Sequence, residues 1–80
     1  MTMQRVFFDP NAGTHDAGYL LWFPTSLDEL SKITEPLRDG LQVVIHDDEE
    51  LEYVAELLHD AELNHWRAIP IRPKRKSARL

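Results

Sequence analysis

The fold of this chain depends on one stretch, DDEELEYVAELLHDAELNHWRAIPI, which spans residues 47–71. Its Glu, Leu and Ala residues are strong helix formers. Asp47, followed by Glu50 at the third position, fits a capping box at a helix start. Leu51 and Leu58 would then lie on one helical face. This pattern predicts a helix over about 48–63.

The same stretch also fits a β-hairpin. Its apolar residues alternate with glutamates at positions 50, 52 and 56, and only Val54 breaks the alternation. HDAELN would then form the turn, and HWRAIPI would return as a strand with Trp66 and Ala68 facing the core. Local propensity gives the helix a slight advantage, and the residues alone leave both structures open.

The rest of the chain contains clearer elements. QRVFF and GYLLWF are typical of strands, and the Pro, Gly, Asn and Asp residues of DPNAGTHDAG predict a loop between them. A short helix is expected near 26–35, with Ser26 as its cap and Glu29 as the capping-box partner, and Pro36 follows it. LQVVIHD predicts another strand.

Length limits the architecture. A chain of 80 residues makes one small domain, expected over residues 1–71, with a core too small to enclose a large cofactor. It has no cysteine, no apolar run long enough to cross a membrane and no signal-peptide pattern at its start. We therefore expect a cytoplasmic protein without a cofactor.

A further group of motifs shifts the balance between helix and hairpin. These motifs are DxGYxL (Asp16, Gly18, Tyr19, Leu21), SLxxL (Ser26, Leu27, Leu30), LxxGxxV (Leu37, Gly40, Val43), then Leu51 and Ala55, and finally DxExxxWxA (Asp60, Glu62, Trp66, Ala68). In this order the pattern resembles a group of short bacterial proteins, mostly uncharacterised, that have a small SH3-like β-barrel. The resemblance covers residues 16–70 and implies that 50–58 is a strand, but it implies no activity.

The expected fold is therefore mainly β, a small SH3-like barrel with one short helix or helical turn near 26–35. The alternative is an α+β two-layer sandwich of order ββαβαβ, in which 48–63 is helical.

Residues suited to catalysis or metal binding are few. Three His-Asp dipeptides occur, beginning at His15, His46 and His59, but neighbouring strand residues point to opposite faces and cannot share one ion. Ser26 is better explained as a helix cap than as a nucleophile, and the chain has no glycine-rich phosphate loop. We predict no catalytic residue, no metal site and no enzymatic activity.

A binding surface is the more plausible function. In an SH3-like barrel, surface aromatic residues beside an acidic loop form a groove for basic or Pro-rich segments of other proteins. The candidate partner-binding residues are Trp22, Tyr53, Asp47, Asp48, Glu49 and Glu50. The first hypothesis is thus a non-enzymatic interaction module that binds another protein, and its oligomeric state is not predictable.

The charge distribution supports a second hypothesis. All 14 acidic residues lie within residues 1–70, where only four of the 9 basic residues are found. The remaining five, which lie in the segment 72–80, are Arg72, Lys74, Arg75, Lys76 and Arg79. We expect this basic tail to be disordered, because it has almost nothing apolar to bury. It could anchor an accessory protein to nucleic acid or a ribosome, although the acidic domain would repel phosphates.

Overall fold

The computed structural model describes residues 3–49 and 51–71, so the basic tail and its expected disorder lie outside the described residues. Six strands and one α-helix are found in this part of the chain. They are β1 (Arg5–Phe7), β2 (Gly13–Thr14), β3 (Gly18–Leu20), α1 (Pro24–Ser31), β4 (Gln42–His46), β5 (Glu52–Asp60) and β6 (His65–Pro70), with a 3-10 turn at Pro10–Ala12.

The six strands form one mixed sheet in the order β1-β4-β5-β6-β3-β2. β1 and β4 run parallel, and every other neighbouring pair is antiparallel. The prediction of a mainly β fold with one short helix is confirmed. The sheet is open, with β1 and β2 at its two edges, so closure into an SH3-like barrel is not confirmed.

The alternative with a helix over 48–63 is wrong, because β5 is the longest strand and has a neighbour on each side. Ile45 of β4 lies opposite Tyr53, and Ala68 of β6 lies opposite Leu57. Ala55 and Leu57 are fully buried in the face that they share. Two ladders of backbone hydrogen bonds and this burial outweigh a helix propensity worth only a few tenths of a kcal/mol per residue, about 0–0.7.

The helix α1 begins differently from the sequence prediction. Phe23 occupies the N-cap position and Pro24 the first helical position, so Ser26 is not the cap. Ser26 is instead fully buried, and its Oγ donates a hydrogen bond to the carbonyl oxygen of Phe7 at 2.6 Å. The Glu29 carboxylate accepts a hydrogen bond from the Phe7 N–H, also at 2.6 Å. The capping-box residues thus bind a strand and not their own helix.

This contact, which we call the Phe7 clamp (Ser26, Glu29 and the Phe7 peptide), covers the outer edge of β1 at Phe7. In the parallel pairing of β1 with β4, the neighbouring residue Phe8 donates its N–H to His46, so the polar groups of Phe7 point away from the sheet. Unpaired edge groups are sites of unwanted strand pairing. Side chains of α1 satisfy them here.

The hydrophobic core lies on the face of the sheet that α1 helps to cover. Leu30 of α1 belongs to a core cluster whose other residues come from five strands and three connections. The buried core consists of Val6, Phe8, Tyr19, Leu21, Leu30, Leu41, Val43, Ile45, Ala55, Leu57 and Ala68, with Ile33, Leu37, Tyr53 and Trp66 partly buried around it. The inward orientation predicted for Trp66 and Ala68 is confirmed.

Two serines of α1 provide a test of the Phe7 clamp. We expect Ser26→Ala to lower the free energy of unfolding by about 1–3 kcal/mol, because it leaves a carbonyl oxygen without its partner beside a buried site. Ser31→Ala is the matched control, since Ser31 Oγ also donates to a carbonyl at 2.6 Å but is exposed. Its effect should stay within about 0.5 kcal/mol. Urea unfolding measures both, and equal effects would contradict a specific role for the clamp.

Candidate functional site

The connection between β4 and β5 is a tight acidic turn held by one of its own side chains. Asp47 Oδ1 accepts hydrogen bonds from the N–H groups of Glu49, at 2.9 Å, and Leu51, at 3.0 Å. Asp48 adopts a left-handed backbone conformation with φ of 69°, which Asp tolerates better than most residues. The turn therefore projects several acidic side chains while Asp47 holds its backbone.

Beside this turn lies a depression of about 370 Å³, which we call the acidic pocket. It is lined by Arg5, His46, Asp48, Glu49, Leu51 and Glu52. Pockets for drug-sized ligands are mostly apolar and range from about 300 to 1,000 Å³. A polar depression at the lower end of that range suits one or two side chains of a polypeptide better than a cofactor.

His46 forms the floor of the acidic pocket. Its side chain is only 9% exposed and lies between two carboxylates, with Nε2 3.4 Å from Glu29 and Nδ1 3.0 Å from Asp48. The contact with Asp48 falls outside hydrogen-bond geometry, so Nδ1 is a buried nitrogen without a hydrogen bond among the described residues. Such an atom is uncommon and calls for an explanation.

The Phe7 clamp and the acidic pocket share a residue. Glu29 accepts the Phe7 N–H through the same Oε1 atom that approaches His46. The ring of Phe7 also contacts that of His46 edge to face, with centroids 6.2 Å apart. Helix α1 therefore positions His46 as well as protecting the sheet edge.

The acidic pocket contains one basic side chain, and that side chain is already paired. Arg5 forms an ion pair with Glu52, and both are about half exposed. The charges of Arg5 and Glu52 cancel each other. Asp48 and Glu49 then remain as the acidic groups of the pocket rim. The pocket consequently has a negative surplus that faces solvent.

The structure brings together only part of the predicted binding groove. Asp48 and Glu49 line the acidic pocket, and Asp47 lies beneath them in the turn. Glu50 lies outside the described residues.

Trp22 lies at the other end of β5. It is 46% exposed, and its ring packs against His65, which pairs with Asp60. From Glu52 to Asp60 the strand rises over eight residue-to-residue steps, about 26 Å at 3.3 Å per step. Trp22 therefore does not share a groove with the acidic turn.

Tyr53 is close to the turn in sequence but lies on the opposite face of β5 from Glu52. Its ring packs edge to face on Phe8 and His15, with centroids 6.1 and 4.7 Å apart. Burial, and to a smaller extent the neighbouring Tyr53, raise the pKa of Tyr19 in the same cluster. Tyr53 thus belongs to the margin of the core.

Sequence reasoning did not identify four of the pocket residues, Arg5, His46, Leu51 and Glu52. The sequence contained a signal for two of them, because a strand over 50–58 that follows LQVVIHD through a tight turn places Glu52 opposite His46, as observed. Arg5 reaches the site only through the parallel pairing of β1 with β4. That pairing joins distant segments, and no local pattern indicates it.

A larger, open trough of about 690 Å³ lies at the other end of β1 and β4. Met3, Ile33, Leu41 and Val43 supply its apolar lining, and Arg38 at its rim pairs with Glu35. It has no unpartnered buried polar atom, and we assign it no chemistry.

Comparisons with known proteins add no identification, since the chain matches no protein-family model, no curated protein and no solved structure. Over the described residues, no helix has the length and apolar character needed to cross a membrane. Residues 3–49 and 51–71 also contain no cluster of three or more His, Asp or Glu side chains arranged to hold a metal ion. The function has to be argued from the site itself.

The β5–β6 turn near Trp22 generates a prediction on pH dependence. The pKa of Asp60 is lowered from its ordinary value of 3.8 by the Leu63 N–H, which donates to its carboxylate, and then by Arg67. Because the pKa of Asp60 is lower in the folded state, its carboxylate stabilises the fold at pH values above the ordinary pKa. That stability is lost as the pH falls through the folded-state pKa.

We expect Asp60→Asn to be less stable than the wild type at pH 7. This difference should shrink as the pH falls below about 4, where the wild-type carboxylate becomes protonated. Urea unfolding between pH 2 and 7 measures it, with Glu62→Gln in the same turn as the control. A difference that stays constant or grows on acidification would contradict the assignment.

Proposed function

We propose that this chain is a non-enzymatic interaction module whose acidic pocket binds a basic segment of another protein. The single observation that carries the proposal is the acidic turn beside His46, with a negative surplus and a buried nitrogen that makes no hydrogen bond within the described residues. A Lys or Arg side chain is the natural complement of such a site.

The distribution of charged pairs supports a cationic ligand. Each of the four Lys and Arg residues between 3 and 71 is already paired with a carboxylate. The pairs are Arg5–Glu52, Lys32–Asp28, Arg38–Glu35 and Arg67–Asp60. None of them neutralises Asp48 or Glu49, so these acids would gain a basic partner when a ligand binds.

The apolar part of the pocket suits the same ligand. Leu51 is 36% exposed at the pocket wall. Lys and Arg place their aliphatic stems on apolar surfaces while the charged ends reach a carboxylate. A basic side chain could therefore contact Leu51 along its stem and Asp48 or Glu49 at its end.

Other ligands fit the described site less well. A Pro-rich segment needs an aromatic groove. Here Trp22 lies at the other end of β5 from the acidic turn, and Tyr53 lies on the opposite face of β5 from Glu52. Nucleic acid binding through the tail remains a prediction, and the acidic pocket would repel its phosphates. Assignment to an SH3-like barrel also remains a proposal, and binding at the pocket does not require barrel closure.

The test is a fluorescence anisotropy titration with a labelled nine-residue probe peptide that carries five Lys or Arg residues. The protein is the full chain with a neutral tail (Arg72→Gln, Lys74→Gln, Arg75→Gln, Lys76→Gln and Arg79→Gln), so that its own tail cations do not compete. We expect binding that weakens between 20 and 200 mM salt, because surface ion pairs are screened. No binding of the probe would overturn the proposal.

The site is tested by removing two of its charges. Asp48→Asn with Glu49→Gln should weaken probe binding about tenfold, since two partly exposed ion pairs contribute up to about 1 kcal/mol each. The pair Glu56→Gln and Glu62→Gln removes two exposed acids elsewhere and should change the affinity less than about twofold. Equal losses would show that only net charge matters.

A titration with a labelled single-stranded oligonucleotide distinguishes nucleic acid binding through the tail from peptide binding at the acidic pocket. That hypothesis predicts binding by the wild-type chain and its loss when the tail is neutral. Oligonucleotide binding in preference to the basic probe would favour the accessory-protein function.

A further inference from the structure

The last described residue pairs with β5 near the start of that strand, close to the acidic turn. Ile71 donates its N–H to the carbonyl oxygen of Val54 at 2.9 Å, continuing the pairing of Pro70 with Ala55. Val54 is two residues from Glu52, which lines the acidic pocket. The basic segment therefore begins about 7 Å along β5 from the pocket, at 3.3 Å per residue.

The charges of the two regions are complementary. Residues 72–80 carry five Lys and Arg residues and no acid. Asp48 and Glu49 at the pocket rim have no Lys or Arg partner among the described residues, where every Lys and Arg is paired elsewhere. Every Lys and Arg among residues 3–49 and 51–71 is assigned to a carboxylate, and the remaining five Lys and Arg residues of the sequence lie in residues 72–80.

The length of the tail is sufficient for contact. Eight residues from Arg72 to Arg79 extend up to about 26 Å. The pocket floor at His46 is on β4, two strands away from β6, which is about 10 Å across the sheet. The tail can therefore reach the pocket without any change in the described fold.

The pocket contains a buried polar atom in addition to its acidic side chains. His46 is nine-tenths buried in the pocket floor, and its Nδ1 has no hydrogen bond within the described residues. The Asp48 carboxylate lies 3.0 Å from this nitrogen without forming a hydrogen bond to it, so the buried polar atom points to a site that is completed by a further group.

We propose that residues 72–80 occupy the acidic pocket of their own chain and compete there with the basic segment of a partner. This inference rests on the proposed function, because it assigns an intramolecular ligand to the same site. A partner segment must then displace the tail from the acidic pocket in order to bind. Only a segment that is more basic than RPKRKSARL, or that fits the pocket better, displaces it.

The expected size of the effect follows from effective concentration. A short flexible linker holds a ligand at about millimolar concentration near its site. If the free probe binds the neutral-tail protein with a Kd of about 0.1 mM, the wild-type tail should weaken probe binding about tenfold.

The first test needs no probe. Two-dimensional ¹H–¹⁵N NMR spectra of the full wild-type chain and the neutral-tail chain are compared at low salt. We expect shift differences centred on Asp48, Glu49 and Glu52, and their collapse at about 0.5 M salt. A variant with the three tail arginines changed to lysine should keep the wild-type shifts. Differences confined to residues next to Ile71 would overturn the inference.

Dilution distinguishes contact within one chain from contact between copies. Shift differences that are independent of protein concentration support the inference. Differences that grow with concentration would mean that the tail binds a second copy, and they would overturn it.

The second test uses the anisotropy probe from the previous experiment. Binding to the neutral-tail chain about tenfold tighter than to the wild type supports the inference. Equal affinity for both chains overturns it and leaves the proposed function intact. Failure of the probe with the neutral-tail chain overturns the proposed function, whereas the NMR comparison still reports independently on tail docking.

Discussion

The Phe7 clamp is the contact on which the rest of this structure depends. One peptide group at the sheet edge has its carbonyl bound by Ser26 and its N–H bound by Glu29. Since β1 is only three residues long, pairing with β4 alone gives it few hydrogen bonds. The helix fixes the strand from the other side, and Glu29 at the same time reaches His46.

Fixing β1 has a direct consequence for the acidic pocket. The parallel register places Arg5 beside Val44 and Phe7 beside His46, and the hairpin register places Glu52 opposite His46. Arg5 can then neutralise Glu52, so Asp48 and Glu49 are the acids of the pocket that have no Lys or Arg partner among the described residues.

The sequence predicted a mainly β fold with one short helix, but it did not predict the contacts that form the site. Alternation over β5 was visible, yet helix propensity competed with it, and the strand is stabilised by neighbours that local patterns do not reveal. Ser26 and Glu29 had the spacing of a capping box, and their use in binding β1 depends on tertiary packing. Asp48 and Glu49 line the acidic pocket, whereas Trp22 lies at the other end of β5, because the pairing of β3 with β6 sets its position and no local pattern indicates that pairing.

We propose the acidic pocket as the place where a basic polypeptide binds. The most direct measurement is a set of intermolecular NOEs between the side-chain methylenes of the basic probe and the neutral-tail protein. We predict NOEs to the Leu51 methyl groups and the His46 ring protons. NOEs to Trp22, or to the trough around Ile33 and Leu41, with none to Leu51, would contradict it.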